Sequence, residues 1–132
     1  MRKIVMTGMA VVLLMMFGFT NLSVATAHEA GMAGMETGSE ITIKGELVDS
    51  LCYVAMASMG PGHKQCAMDC AKAGIPISIV EDGTGKVYTV LPKEDKTGYP
   101  ANVISKMGDK VTLKGDLYEK GGNKYVAVES VE

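Results

Sequence analysis

Aromatic residues and positive charge are both scarce in this sequence of 132 residues. It has no Trp, and its two Phe residues, Phe17 and Phe19, both lie in an N-terminal apolar run. Beyond residue 27 the aromatic residues are five Tyr, and 11 of the 13 basic residues remain against all 15 acidic ones, a net charge of about −4. Binding to nucleic acid relies on positive charge and on rings that stack on bases. We therefore expect no nucleic-acid partner, and the negative charge also argues against docking on anionic lipid.

The signatures of common catalytic centres are also missing. The sequence has no C-x-x-C for dithiol exchange and no C-x-x-C-H for haem attachment. It has no G-x-S-x-G, no H-E-x-x-H and no phosphate-binding glycine loop. We therefore expect a binding protein and not an enzyme.

The first 27 residues have the pattern of a cleavable export signal. Arg2 and Lys3 give a short basic start, an apolar run follows over 4–19, and the stretch ends in Ala25-Thr26-Ala27. A signal peptidase recognises this order of charge, apolar core and small residues. A membrane-spanning helix needs about 20 apolar residues, so the shorter run disfavours an uncleaved anchor. We predict a signal peptide over 1–27, cleavage after Ala27, and a periplasmic or secreted protein that is no longer attached to the membrane.

The rest of the chain contains several short segments in which apolar and polar residues alternate, the period of half-buried β-strands. Residues 28–40 lack this alternation and are rich in Gly, Ala, Met and Glu, so we predict a flexible leader there. One domain is predicted over 41–132. Its predicted order is strand, helical insert, two strands, short helix and two strands, over residues 41–47, 51–74, 75–79, 86–91, 99–107, 111–117 and 125–131.

Two of the predicted strands carry a central glycine, which suits the sharp bending of a small barrel. They are Ile41-Thr42-Ile43-Lys44-Gly45-Glu46-Leu47 and Val111-Thr112-Leu113-Lys114-Gly115-Asp116-Leu117. These stretches resemble the first and fourth strands of secreted bacterial OB-fold domains, and the order of elements is also that of an OB-fold. The resemblance implies a mainly β fold, a small five-stranded OB-like barrel. One predicted feature departs from a plain OB-fold, a Cys-bearing helical hairpin inserted between strands 1 and 2.

The predicted insert, residues 51–74, holds all three cysteines of the chain. Asp49 or Ser50 is suited to cap a first helix, and the sequence Gly60-Pro61-Gly62 is suited to end it. A second helix is predicted from His63 to Ala73. On each helix, three potential metal ligands share one face at helical spacing: Cys52, Met56 and Met59 on the first, and His63, Cys66 and Cys70 on the second.

If these two faces meet, three thiols, two thioethers and one imidazole converge. Soft thiolate and thioether ligands select Cu(I), and Cys together with His also suits zinc. We therefore predict a metal site formed by Cys52, Cys66 and Cys70, with His63 as an optional fourth ligand and copper or zinc as the ion. Methionines at helical spacing more often fill a core than bind a metal.

A disulfide is the alternative use of these cysteines, because exported proteins occupy oxidising compartments. Residues one helical turn apart have Cβ atoms about 5–6 Å apart, whereas a disulfide needs about 3.8 Å. This disfavours a Cys66–Cys70 bond and leaves Cys52 to pair with either one, with one thiol left over. In this alternative the protein is a disulfide-stapled module that binds a periplasmic protein or a small ligand without a metal.

The spacing of the insert is itself distinctive. The pattern Asp49-x-x-Cys52-Tyr53 followed by His63-x-x-Cys66-x-x-x-Cys70 resembles that of small exported bacterial proteins to which no activity is assigned. The resemblance implies export and carries no activity with it. The sequence as a whole predicts an exported metal-binding domain.

Overall fold

The computed structural model describes residues 38–132, which form five strands, three short helices and one 3-10 turn. The predicted signal peptide and nearly all of the predicted leader lie outside these residues. In chain order the elements are β1 (Ser39–Asp49), α1 (Ser50–Met56), the 3-10 turn (Pro61–His63), α2 (Lys64–Lys72), β2 (Ile77–Glu81), β3 (Val87–Leu91), α3 (Ala101–Ser105), β4 (Lys110–Lys120) and β5 (Asn123–Val131).

The five strands close into a barrel in the order β1-β2-β3-β5-β4. β1 pairs antiparallel with both β2 and β4. β3 and β5 pair in parallel, and this pairing closes the barrel. The predicted fold is therefore confirmed: the protein is mainly β, its barrel has five strands, and a helical insert lies between strands 1 and 2. β1 begins at Ser39, two residues before the predicted start of the domain.

The barrel interior is filled by the apolar residues that alternate along the strands, as the period-2 pattern predicts. Val103 and Met107, from α3 and the turn after it, are also buried and pack in the same cluster. The fully buried aliphatic side chains from the strands are Ile43, Leu47, Val48, Ile77, Ile79, Val90, Leu113 and Val126.

Two strand glycines allow neighbouring backbones to approach closely. A Cβ at Gly45 would lie 2.1 Å from the carbonyl oxygen of Val80, and a Cβ at Gly115 would lie 2.2 Å from that of Ala127. A side chain at either position would overlap backbone atoms of the neighbouring strand. The central glycines noted in the sequence are therefore required by the packing of the barrel.

The insert folds onto the barrel through its second helix. α2 lies against β1 and α3 and buries Ala67 and Ala71 in the core. The two ends of the insert are held together at its base, because the Ser50 amide donates to the Pro76 carbonyl at 2.9 Å. The insert is thus packed against the barrel and closed at its base.

Among residues 38–132, no helix combines the length and the apolar character needed to cross a membrane.

We predict that Gly45→Ala lowers the free energy of unfolding by about 3 kcal/mol, because overpacking at a rigid backbone contact cannot be relieved by a side-chain rotation. Urea denaturation measures this loss. Gly98→Ala is the matched control, since a Cβ there has no atom within 4 Å. Equal stability of the two variants would contradict the close approach of β1 and β2.

Candidate metal centre

A buried carboxylate lies where β1 meets the insert. Asp49 is the last residue of β1, and it is fully buried. It is also the N-cap of α1, because its Oδ1 accepts a hydrogen bond from the Cys52 amide at 2.8 Å. The predicted capping role is therefore confirmed for Asp49. The cap fixes the first turn of α1, which carries Cys52.

The second oxygen of Asp49 contacts the segment that leads into α2. Its Oδ2 lies 3.1 Å from Nε2 of His63. His63 is the last residue of the 3-10 turn and directly precedes α2. One carboxylate therefore joins the end of β1, the first turn of α1 and the start of α2.

The three thiols converge where the two helices of the insert meet. The Sγ atoms of Cys52, Cys66 and Cys70 all lie within 4.8 Å of one another. All three cysteines are free, with Cys52 buried, Cys70 half-buried and Cys66 exposed. Thiolates that share one ion at bond lengths of about 2.3 Å lie about 4 Å apart, so small side-chain adjustments suffice for all three to bind it. This cluster could hold a metal ion, and it extends from the interior to the surface.

His63 belongs to a second group that shares one thiol with the first. The ligand atoms of Asp49, Cys52 and His63 also lie within 4.8 Å of one another, and this group could likewise hold a metal ion. The sequence favoured His63 as a fourth ligand near Cys52 and Cys66. The structure places His63 beside Cys52 and Asp49, because its imidazole contacts the Asp49 carboxylate.

The prediction that Cys52, Met56 and Met59 share one face of the first helix is wrong for Met59. α1 ends at Met56, since Ala57 takes the left-handed conformation with φ of 53°, and Met59 therefore lies beyond the helix. Cys52 is buried, whereas the side chains of Met56 and Met59 are 63% and 45% exposed. Met68 of α2 is partly buried and packs against the core, as expected for a core-filling residue.

The site holds its two less exposed thiols in the protonated form. A hydrogen bond to the Asp49 carboxylate, burial, and repulsion from the same charge raise the pKa of Cys52 to about 12. Burial and then the Asp49 charge also raise the pKa of Cys70. Burial alone would raise the pKa of Asp49, but hydrogen bonds from Cys52 and His63 outweigh it and hold that pKa below its usual value. Asp49 is therefore ionised at neutral pH, and a metal ion must displace the proton of Cys52 in order to bind it.

The capping role predicted for Asp49 does not include its contact with His63. One signal for it is present in the sequence. Asp49 directly follows two apolar residues, Leu47 and Val48. Both are buried in β1, so the carboxylate at the end of this strand is buried as well. An N-cap uses one carboxylate oxygen for the helix, and in a buried position the other oxygen needs a partner of its own.

In comparisons with known proteins, no family model, no curated protein and no solved structure matches this chain.

We predict that Asp49→Asn lowers the pKa of Cys52 from about 12 by about 1–3 pH units, because the amide keeps the helix cap but removes the negative charge. Only the thiolate is alkylated, so a lower pKa means faster alkylation at pH 8. The rate is measured against pH in a Cys66→Ser/Cys70→Ser background, where Cys52 is the one remaining thiol.

Asp69→Asn is the matched control for this experiment, because the Asp69 carboxylate lies on α2 and is 62% exposed. It leaves the alkylation profile of Cys52 unchanged. A profile that is the same in Asp49→Asn as in the parent would show that the carboxylate does not control this thiol.

Proposed function

We propose that this domain binds one soft metal ion, with Cu(I) as the best fit, through the thiolates of Cys52, Cys66 and Cys70. The observation that carries the proposal is the convergence of three free sulfur atoms within 4.8 Å. These are all the cysteines of the chain, and they come from two helices separated by a turn. Bringing them together gives the donor set that soft ions select.

The number of ligands favours Cu(I) over zinc at this position. Structural zinc sites take four protein ligands in tetrahedral geometry, and the thiol cluster supplies three. The His63 imidazole contacts Asp49 and groups with Asp49 and Cys52, so it does not complete the coordination of an ion bound to Cys66 and Cys70. Cu(I) binds well with three thiolates, so it needs no further residue.

The exposure of the thiols suggests how the ion enters. Cys66 is exposed and Cys52 is buried, so an arriving ion meets Cys66 first and completes its coordination deeper in the site. Binding displaces protons from Cys52 and Cys70, whose pKa values are raised, so the affinity for metal increases with pH. The role we propose is binding and not catalysis.

We also propose that the protein works outside the cytoplasm, in the periplasm or beyond the cell. The order of basic start, apolar run and Ala25-Thr26-Ala27 supports this proposal. Free cysteines in an oxidising compartment tend to pair. A bound metal ion would protect the three thiolates from forming a disulfide.

We predict that the reduced protein binds Cu(I) with one ion per chain, and that replacing any one cysteine by Ser weakens this affinity by at least about 100-fold, because each removes a direct ligand. Native mass spectrometry gives the stoichiometry, and competition with a Cu(I) chelator gives the affinity.

Met56→Leu and Met59→Leu serve as controls for the cysteine variants, since both thioethers are exposed. Both variants keep the parental affinity for Cu(I). A protein isolated from the periplasm with a mass two hydrogens light, and indifferent to added Cu(I), would overturn the metal proposal in favour of the disulfide-stapled alternative.

We predict that the full chain, produced in a Gram-negative bacterium, appears in the periplasm with His28 as its first residue, because the small residues at 25 and 27 define the cleavage site. Mass spectrometry of the periplasmic fraction checks this. Ala25→Tyr blocks processing, whereas Thr26→Tyr at the unconstrained middle position does not. A chain that stays in the cytoplasm with its N-terminal 27 residues attached contradicts the proposal of export.

A further inference from the structure

The group formed by Asp49, Cys52 and His63 contains ligands of a different chemical character from the thiol cluster. It combines one carboxylate oxygen, one sulfur and one imidazole nitrogen, all within 4.8 Å of one another. Carboxylate and imidazole are ligands for borderline divalent ions such as zinc, and a thiolate beside them suits the same ions. Soft monovalent ions such as Cu(I) prefer the all-sulfur set of Cys52, Cys66 and Cys70.

The separation of the two harder ligands fits one shared ion. Zinc lies about 2.0–2.1 Å from imidazole nitrogen and from carboxylate oxygen, so two such ligands at a tetrahedral angle are about 3.3 Å apart. Nε2 of His63 and Oδ2 of Asp49 are 3.1 Å apart. The remaining oxygen of Asp49 accepts from the Cys52 amide, so the carboxylate is already oriented with Oδ2 towards His63, where an ion bound to both would replace their hydrogen bond.

Burial strengthens the attraction that the Asp49 carboxylate would exert on a cation here, because charges interact more strongly away from water. Asp49 is fully buried, and hydrogen bonds from the Cys52 amide and His63 compensate its charge. Among the ion pairs of residues 38–132, the only basic side chain paired with Asp49 is that of His63, which is 18% exposed. A divalent ion between the two side chains would replace the contact with His63 by two metal bonds, and it would be reached from the solvent through His63.

We propose that Asp49, Cys52 and His63 form a second metal position, selective for a borderline divalent ion such as Zn(II), and that the sulfur of Cys52 bridges it to the three-thiol position. The bridging relation rests on the proposed function, because it requires an ion on Cys66 and Cys70 as well. The second position itself requires neither of those thiols. Its three protein ligands leave a fourth coordination site for water.

The formal charges favour filling both positions together. Three thiolates and the Asp49 carboxylate carry four negative charges. One Cu(I) leaves three of these uncompensated, whereas one Cu(I) and one Zn(II) leave only one. Since uncompensated charge is costly in a partly buried site, the ion in each position increases the affinity of the other.

The second position is tested first without the thiol cluster. Cys66→Ser/Cys70→Ser is titrated with Co(II), which replaces zinc and reports thiolate ligation by a sulfur-to-cobalt charge-transfer band. We expect one Co(II) per chain with this band present, and its loss when His63→Gln or Cys52→Ser is added. The glutamine can still hydrogen-bond to Asp49, so it removes the nitrogen ligand with little effect on packing. No charge-transfer band in the double variant, or a band that His63→Gln leaves unchanged, overturns the second position.

Bridging is tested in the protein with all three thiols. After loading with Cu(I), added Zn(II) is expected to give a species with one copper and one zinc per chain by native mass spectrometry. His63→Gln is expected to retain the copper, within about threefold of the parental affinity, and to lose the zinc. A copper-loaded parent that takes up no zinc, or zinc uptake that His63→Gln leaves intact, overturns the bridged arrangement.

The two proposals fail in different ways. If the parent binds no Cu(I) but the Cys66→Ser/Cys70→Ser variant still shows the cobalt band, the three-thiol proposal is wrong and the second position stands. If the parent binds Cu(I) and the cobalt band is absent, the opposite holds. Far-UV circular dichroism and the urea midpoint verify that each variant is folded, so that loss of metal is not loss of structure.

Discussion

The Asp49 carboxylate is the contact on which the arrangement of the site depends. It is fully buried, it accepts from the Cys52 amide with one oxygen, and it lies 3.1 Å from the His63 imidazole with the other. A buried carboxylate is stable only if both oxygens are satisfied, so this one ties together the start of α1 and the start of α2. The helices that carry the cysteines are thereby fixed relative to each other at the base of the insert. The same charge raises the pKa of Cys52, so the residue that positions this thiol also keeps it protonated.

The barrel provides the rigid support that such a site needs. β1 pairs with both β2 and β4, and it ends at Asp49, so the carboxylate is attached to a strand that is hydrogen-bonded on both sides. The chain that leaves the insert is anchored at the same base. The Ser50 hydroxyl donates to the Pro76 carbonyl at 2.8 Å and lies 2.9 Å from the Ser78 hydroxyl. Metal ligands held on paired strands and short packed helices keep their geometry better than ligands on loops. Cys66 remains exposed on this support, so the proposed metal ion would reach the site through it.

Much of this arrangement could be predicted from the sequence, and the rest depended on contacts that the sequence does not reveal. The alternation over 41–47 and the central Gly45 predicted the bent first strand, and helical spacing predicted that Cys66 and Cys70 share a face. The end of α1 was not predictable from residue types, because Ala57 has no preference for the left-handed conformation that it adopts. The position of His63 was only partly predicted, because it follows from a tertiary contact with a buried carboxylate and helical spacing describes only one helix at a time. Cysteine spacing therefore predicted the thiol cluster better than it predicted the ligands around it.

X-ray absorption spectroscopy of the reduced protein loaded with one equivalent of copper tests whether the three thiols act as one metal site. We expect an absorption edge typical of Cu(I) and a first shell of three sulfur atoms at about 2.3 Å, with no nitrogen or oxygen ligand. Such a shell requires Cys52, Cys66 and Cys70 to bind one ion together. A first shell made mainly of nitrogen and oxygen, or one with a single sulfur, would show that the three thiols do not act as one site.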